Sequence, residues 1–419
     1  MSQVSSRSIG VDTTGDRHYA CRRMIVGPWV NQPEEYEGYN GFVGWAGIAR
    51  TRAGRWLLTF TSGLWHATLP WTEEIRRDPE CRARFEAWHA LGLPDMYAPR
   101  GGRAHIMHSD DEGLTWSKPT TLVDTDSDDR HPGILELADG SLMCTFFSSR
   151  FPHCSVARYM LSRDGGESWS EPIGLPGSPP HAGFGNGPAI TLRDGTVVWA
   201  TRGAFDPDQP HDCIGVMRSR DHARTFELAA TIKADRHLSE PTIVEVADQV
   251  LTMAIRREGD FCYSQDGGLS WEHTASTGWG IYDPHLVMAP NGVLALFHGS
   301  YLKEGGIHVL LSPDGGRTWH GPGSDAGVVY GYSVDPGVYG YCHPMLLPDG
   351  TVYLVYLHTG GHAPADARSE AIWGLRVSVH DDAGGIDILP AAGSPADRGR
   401  EITDASLMYG GDPELGNLP

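Results

Sequence analysis

A handful of ionisable and hydroxyl-bearing residues stand at the heads of apolar runs, where a packed strand would carry Val, Ile or Leu: His131, Asn186, Glu240, Asp283 and Tyr341. A phenol with an ordinary pKa near 10 is a weak nucleophile until a carboxylate takes its proton, and Tyr341 with Glu240 offers that pair. Asp283, or His131 with its neighbours Asp128 and Asp129, offers a proton donor. Arg256, sixteen residues after Glu240, and Arg202 offer positive charge. Asn186, His66, His285, His298 and His343 complete a polar set able to contact a substrate. Three chemistries use such groups. One is glycosyl transfer, with a nucleophile or base on one side of the sugar and an acid on the other. A second is β-elimination from a uronate, with Tyr and His as acid and base and Arg256 neutralising the carboxylate. The third is metal binding, but no HxH or HExxH spacing occurs, so neither a metal nor another cofactor is expected.

These residues are far apart in sequence and need a scaffold to meet. Six segments share one pattern of apolar run, two-residue turn and apolar run, with turn positions Gly54, Gly140, Gly195, Gln249, Gly292 and Gly350. Nine residues before each turn stand Trp45, His131, Asn186, Glu240, Asp283 and Tyr341. Two residues further along, His285 and His343 join them. Seven residues after the turns the returning strands reach Arg202 and Arg256, and His298 falls beside the equivalent Gly299. In an antiparallel sheet the first strand leaves, and the second regains, the same edge. All of these positions therefore converge on one mouth.

A second repeat interleaves with the hairpins. The octapeptide Ser-x-Asp-x-Gly-x-Ser/Thr-Trp begins at Ser109, Ser162, Ser264 and Ser312, with a degenerate copy, SRDHARTF, at Ser219 and an echo, HDDAG, at His380. Each reads as a turn in which Asp accepts backbone N–H bonds and the aromatic residue plugs the adjoining strands. Six hairpins alternating with six such turns predict an all-β fold: a six-bladed β-propeller of four-stranded antiparallel blades occupying the whole chain, 1–419, as one domain. The 53 Gly and 29 Pro in 419 residues argue equally against a mainly helical chain.

The octapeptide is the Asp-box, and the sequence resembles the sialidase (neuraminidase) superfamily from about Phe42 to Pro390. SEPTIVEV with Glu240, MAIRR with Arg256 and GYCHPMLLPDG with Tyr341 are similar to the superfamily's segments for the catalytic Glu, one arginine of its triad and the nucleophilic Tyr. The resemblance implies a glycoside hydrolase acting on an acidic or otherwise polar glycan terminus. Other segments depart from the pattern. GFVGWAGIA stands where the first-blade arginine is expected, FHGSY where the fifth-blade arginine is expected, and FTSGLWHATLPW offers only His66 for the usual acid. A propeller polysaccharide lyase and a non-catalytic glycan-binding propeller are the alternatives.

Residues 64–103 form an insertion leaving the mouth end of the first hairpin. Asp78-Pro79 before ECRARFEAWHAL predicts a capped helix with Phe85, Trp88 and Leu91 on one side, either a partial lid over the mouth or a dimerisation element. The formal charge of −20 disfavours nucleic acid and anionic membrane surfaces as partners. Seven widely spaced cysteines without a CxxC pair read as reduced thiols, and the polar stretch Met1 to Val26 lacks a signal-peptide core, so a cytoplasmic location is expected.

Overall fold

The six bends open with the same local chemistry. Gly54, Gly140, Gly195, Gln249, Gly292 and Gly350 all adopt positive φ, between 59° and 97°. In the second, Leu137 N donates to Ser141 O at 2.8 Å and Gly140 N to Leu137 O at 3.0 Å. Three residues, not two, therefore form the loop: a tight turn followed by a left-handed glycine. The same pattern recurs at Thr51/Arg55, Leu192/Thr196, Ala289/Val293 and Leu347/Thr351. Only the fourth bend, with Ala247 paired to Val250, is a two-residue turn.

The computed structural model describes residues 20–27, 29–65, 67–90, 97–150, 154–179, 182–183, 187–256, 258–299, 306–322, 331–335, 341–357 and 371–399. Its sheets form a six-bladed β-propeller of antiparallel blades. The inner strands, in blade order, are Phe42–Arg50, Asp128–Glu136, Ile190–Thr191, Ser239–Ala247, Tyr282–Met288 and Cys342–Leu346. Their partners Trp56–Gly63, Leu142–Arg150, Val197–Gly203, Val250–Arg256, Leu294–Gly299 and Val352–Leu357 return to the starting edge. Pairings such as Ser239 with Arg256 and Tyr282 with Gly299 close that edge.

Most strands bury both faces, so the core is distributed as layers between neighbouring blades. Phe297, Val309, Leu354 and Leu375 belong to the layer between blades five and six, and Met143, Tyr159, Trp199 and Met217 to that between blades two and three. Each fully buried side chain of this size contributes about 1.5–3 kcal/mol.

The Asp-boxes join third strands to fourth strands at the opposite face. In the box at Ser162, Asp164 accepts from Ser168 N at 2.9 Å, from Ser168 Oγ at 2.5 Å and from Ser162 Oγ at 2.8 Å, while Gly166 N donates to Ser162 Oγ at 2.9 Å. The degenerate copy keeps this network. Ala223, at φ +60°, takes the glycine's place, and Asp221 accepts from Thr225 N at 2.9 Å.

Blade six is finished by two segments on one edge. Arg23–Val26 pairs with the start of Ile372–Val379, and Ile386–Leu389, delivered by the HDDAG echo, pairs with its end. Buried Arg22 reaches Asp335 of blade five at 3.0 Å and lies 4.1 Å from the centre of the Trp373 ring. Tyr356 OH donates to the same Asp335 carboxyl at 2.8 Å. Arg22 is thus the rivet between this edge and its neighbour.

The insertion carries two helices, α1 (Glu73–Arg77) and α2 (Pro79–Ala90). Thr72 Oγ1 accepts from Ile75 N and Asp78 Oδ1 from Cys81 N, capping both. Phe85 stacks on Trp71 at 4.8 Å and meets Tyr97 at 4.9 Å, so α2 packs on a small core belonging to the insertion itself. The Trp88 side chain and Leu91 lie outside the described residues.

Candidate active site

Four inner strands begin with the same backbone distortion. Trp45, His131, Glu240 and Asp283 adopt φ of +51°, +53°, +47° and +44°. Each lies within a register shift against its partner strand. A non-glycine residue in this left-handed region costs of order 1–3 kcal/mol, and a bulge re-aims the side chain it carries. Here the distortion swings each side chain out of the strand's alternation towards the central axis. Tyr341, immediately before Cys342–Leu346, reaches the same place without it. Asn186 lies outside the described residues.

Glu240, Arg256 and Tyr341 form a triangle at this mouth. Tyr341 OH donates to Glu240 Oε1 at 3.2 Å, and Arg256 Nη1 donates to Tyr341 OH at 3.1 Å and to Glu240 Oε1. The second Glu240 oxygen accepts from Asp283 N at 2.9 Å. The guanidinium lies 4.7 Å from the centre of the Tyr282 ring. Trp45 packs edge-on to Tyr341 at 4.4 Å and lies 5.0 Å from the His131 ring.

Burial raises the Glu240 pKa, opposed by Arg256 and reinforced by Asp283, which makes this carboxylate a stronger base than an exposed one. Burial pushes Asp283 up to about 8, against the pull of Arg256, so its carboxyl is mostly protonated at neutral pH.

Residues 104–322, just over half of the sequence, match the family model of the BNR repeat-like domain. The chain belongs to that family. Solved structures sharing its fold include a protein of unknown function from Dyadobacter fermentans, at 16% identity and TM-score 0.59, covering 84% of this chain and 98% of that one. The Hadza microbial sialidase Hz136 aligns at 17% identity and TM-score 0.56, over 81% of this chain and 67% of that one. The leech intramolecular trans-sialidase complexed with 2,7-anhydro-Neu5Ac aligns at 13% and 0.57, over 84% and 71%. No curated protein matches the chain in sequence. The fold is that of a sialidase-like BNR propeller.

The triangle of this BNR propeller borders a central depression walled by Trp45, His131, Asp283, His285, Tyr341 and His343. Small residues let the blades crowd here. A Cβ on Gly187 would lie 1.5 Å from Pro241 O of the next blade. His285 sits 3.4 Å from the Asp283 carboxyl and 4.7 Å, ring to ring, from His343. Burial lowers the His285 pKa to about 4 and the His343 pKa well below its ordinary value. Both imidazoles are therefore neutral at pH 7.

Other expected members stand elsewhere. Arg202 binds Asp212 through Nε at 2.8 Å and reaches Ser239 Oγ at 3.4 Å, so it flanks the depression without lining it. His298 does not join the mouth. It pairs in register with His308, stacks on that ring at 5.8 Å and donates from Nδ1 to Gly299 O at 3.0 Å. Strand alternation explains this: the position that returns to the mouth is Gly299, and its neighbour's side chain turns into the layer between blades. Asp128 and Asp129 are fully buried and held by Thr68 N, Arg130, Ser148 Oγ and Thr125, so they anchor the base of the insertion. No described residue of the insertion lines the depression, and the lid expected of α2 is not seen among the described residues. His66 lies outside them. No group of three or more potential metal ligands occurs among the described residues.

Two contributors escaped the sequence reading as site residues: Trp45, the aromatic wall, and Tyr282, the platform beneath Arg256. Trp45 held the same offset from its turn as the other members, a signal that its apolar character obscured.

Proposed function

We propose that this BNR propeller is a retaining glycoside hydrolase acting on a terminal sugar of a glycan. The observation that carries the reading is the phenol of Tyr341 held between Glu240 Oε1 at 3.2 Å and Arg256 Nη1 at 3.1 Å beside an open depression. Glu240 accepts the phenolic proton as Tyr341 attacks the anomeric carbon, and Arg256 offsets the negative charge growing on the oxygen. Asp283, protonated at neutral pH, donates to the departing oxygen. As carboxylate, it then activates the water that breaks the glycosyl–tyrosine bond. His131, in the same wall, is the second candidate for proton transfer. The sialidases among the structural neighbours support a glycan as the substrate class.

The test is a glycoside panel read by product mass. Hydrolysis adds one water, and Tyr341→Phe and Glu240→Gln each lower kcat by at least about 100-fold. An unsaturated product without added water assigns the site to elimination instead. Wild-type turnover in both variants removes the proposed roles.

A further inference from the structure

Charge matching at the mouth narrows the sugar. Three described arginines stand on the first two strands of blades two, three and four, and each has a carboxylate partner. Arg130 sits 2.8 Å from Asp128, Arg202 2.7 Å from Asp212, and Arg256 is bonded to Glu240. The titratable groups that line the cavity are Asp283, Tyr341 and the imidazoles of His131, His285 and His343; no arginine or lysine is among the described lining residues. Burial keeps the imidazoles of His285 and His343 neutral at pH 7. A carboxylate entering this space would shed its hydration without meeting an uncompensated cation, next to Glu240 and within a chain of formal charge −20. The indole of Trp45 and the neutral imidazoles suit instead an uncharged ring, with C–H faces against the aromatic wall and hydroxyls towards the nitrogen and oxygen atoms.

We infer that the depression selects an uncharged sugar ring over a carboxylate-bearing one, on the evidence of arginines already matched by acids and of described wall residues that include no arginine or lysine. This rests on the glycoside-hydrolase reading and names its substrate class.

The test separates charge from shape. Wild-type protein is titrated calorimetrically with three sets of methyl glycosides: glucoside, glucuronide and glucuronamide; galactoside, galacturonide and galacturonamide; N-acetylneuraminate and its amide. In the set that binds, the neutral sugar and the amide are expected to bind at least about tenfold tighter than the carboxylate. Glu240→Gln, which removes the negative charge opposing Arg256, is expected to narrow or reverse that ratio in protein that still melts cooperatively. A carboxylate that equals or exceeds its amide in the wild-type protein overturns the inference, as does an absence of binding in all three sets. Turnover of the same glycosides is measured in parallel. Turnover that favours uronides or sialosides ends the selectivity inference and leaves the hydrolase reading standing. Neutral-selective binding without any turnover does the reverse.

Discussion

Replacing Asp335 by Asn takes the carboxylate away from a guanidinium that stays buried. Arg22 is 2% exposed and Asp335 0%. Removing one partner of a pair so enclosed costs about 3–5 kcal/mol, because the remaining charge cannot recover its hydration. A chain of 419 residues unfolding as one unit has an entropy change of roughly 0.9 kcal/mol/K, so the midpoint should fall by about 3–6 °C. Asn keeps an acceptor for the Tyr356 hydroxyl, which confines the change to charge. Scanning calorimetry at neutral pH measures the shift, and its size should barely respond to salt between 0.05 and 0.5 M, since screening acts on exposed pairs (concentrations chosen to span roughly a threefold change in Debye length). Arg22→Met in the same chain should restore much of the loss by removing the stranded cation. A shift under about 1 °C, or a double variant as unstable as the two single effects added, would refute the view that this pair rivets blade six to blade five.

Asp283 gives a pH signature. Its folded pKa of about 8 lies above the unfolded value of 3.8, so its contribution to stability is complete at low pH and is lost as pH rises from about 4 to 8. Asp283→Asn should flatten the decline of Tm over that window and abolish the fall in kcat above about pH 8. An unchanged profile would exclude it as the proton donor. Asp164 should act in the opposite sense. Hydrogen bonds, that of Ser168 Oγ foremost, depress its pKa to about 2, so its contribution is present above pH 4 and lost as pH falls through 2. Asp164→Asn should show a shallower acid-side drop in Tm, and an identical drop would argue against the Asp-box as a source of acid sensitivity. At His131, with φ +53°, the usual ranking of small residues should invert: Gly is expected to be about 1–2 kcal/mol more stable than Ala by denaturant titration, and the ordinary order would contradict the left-handed backbone.

Much of this architecture was legible because its signals are local and repeated. A glycine at five of the six bends and a Ser-x-Asp turn after five of the six hairpins determine strand direction without knowledge of the tertiary contacts. Equal offsets from the bends then carried Glu240, Arg256 and Tyr341 to one edge. Other features depend on contacts between distant segments. The strand Arg23–Val26 has no turn signal linking it to Ile372–Val379, and only the unfilled outer edge of blade six reveals its role. The mouth bulges carry no glycine to announce them, since Trp45, His131, Glu240 and Asp283 all adopt a conformation their side chains ordinarily disfavour. His298 was misplaced because a count of strand positions cannot show which of two adjacent residues faces the axis. Helix α1 was missed although Thr72 caps it, because five residues are too few to establish a helical period.

The four left-handed positions also bear on how such a protein diversifies. Each works as a socket: the bend fixes where a side chain will point, whereas the residue inserted there leaves the sheet behind it unaltered. An indole, an imidazole and two carboxyls already occupy equivalent sockets in different blades. New reactivity can therefore arise by exchanging one occupant at a time, with no need to redesign the wheel that holds it.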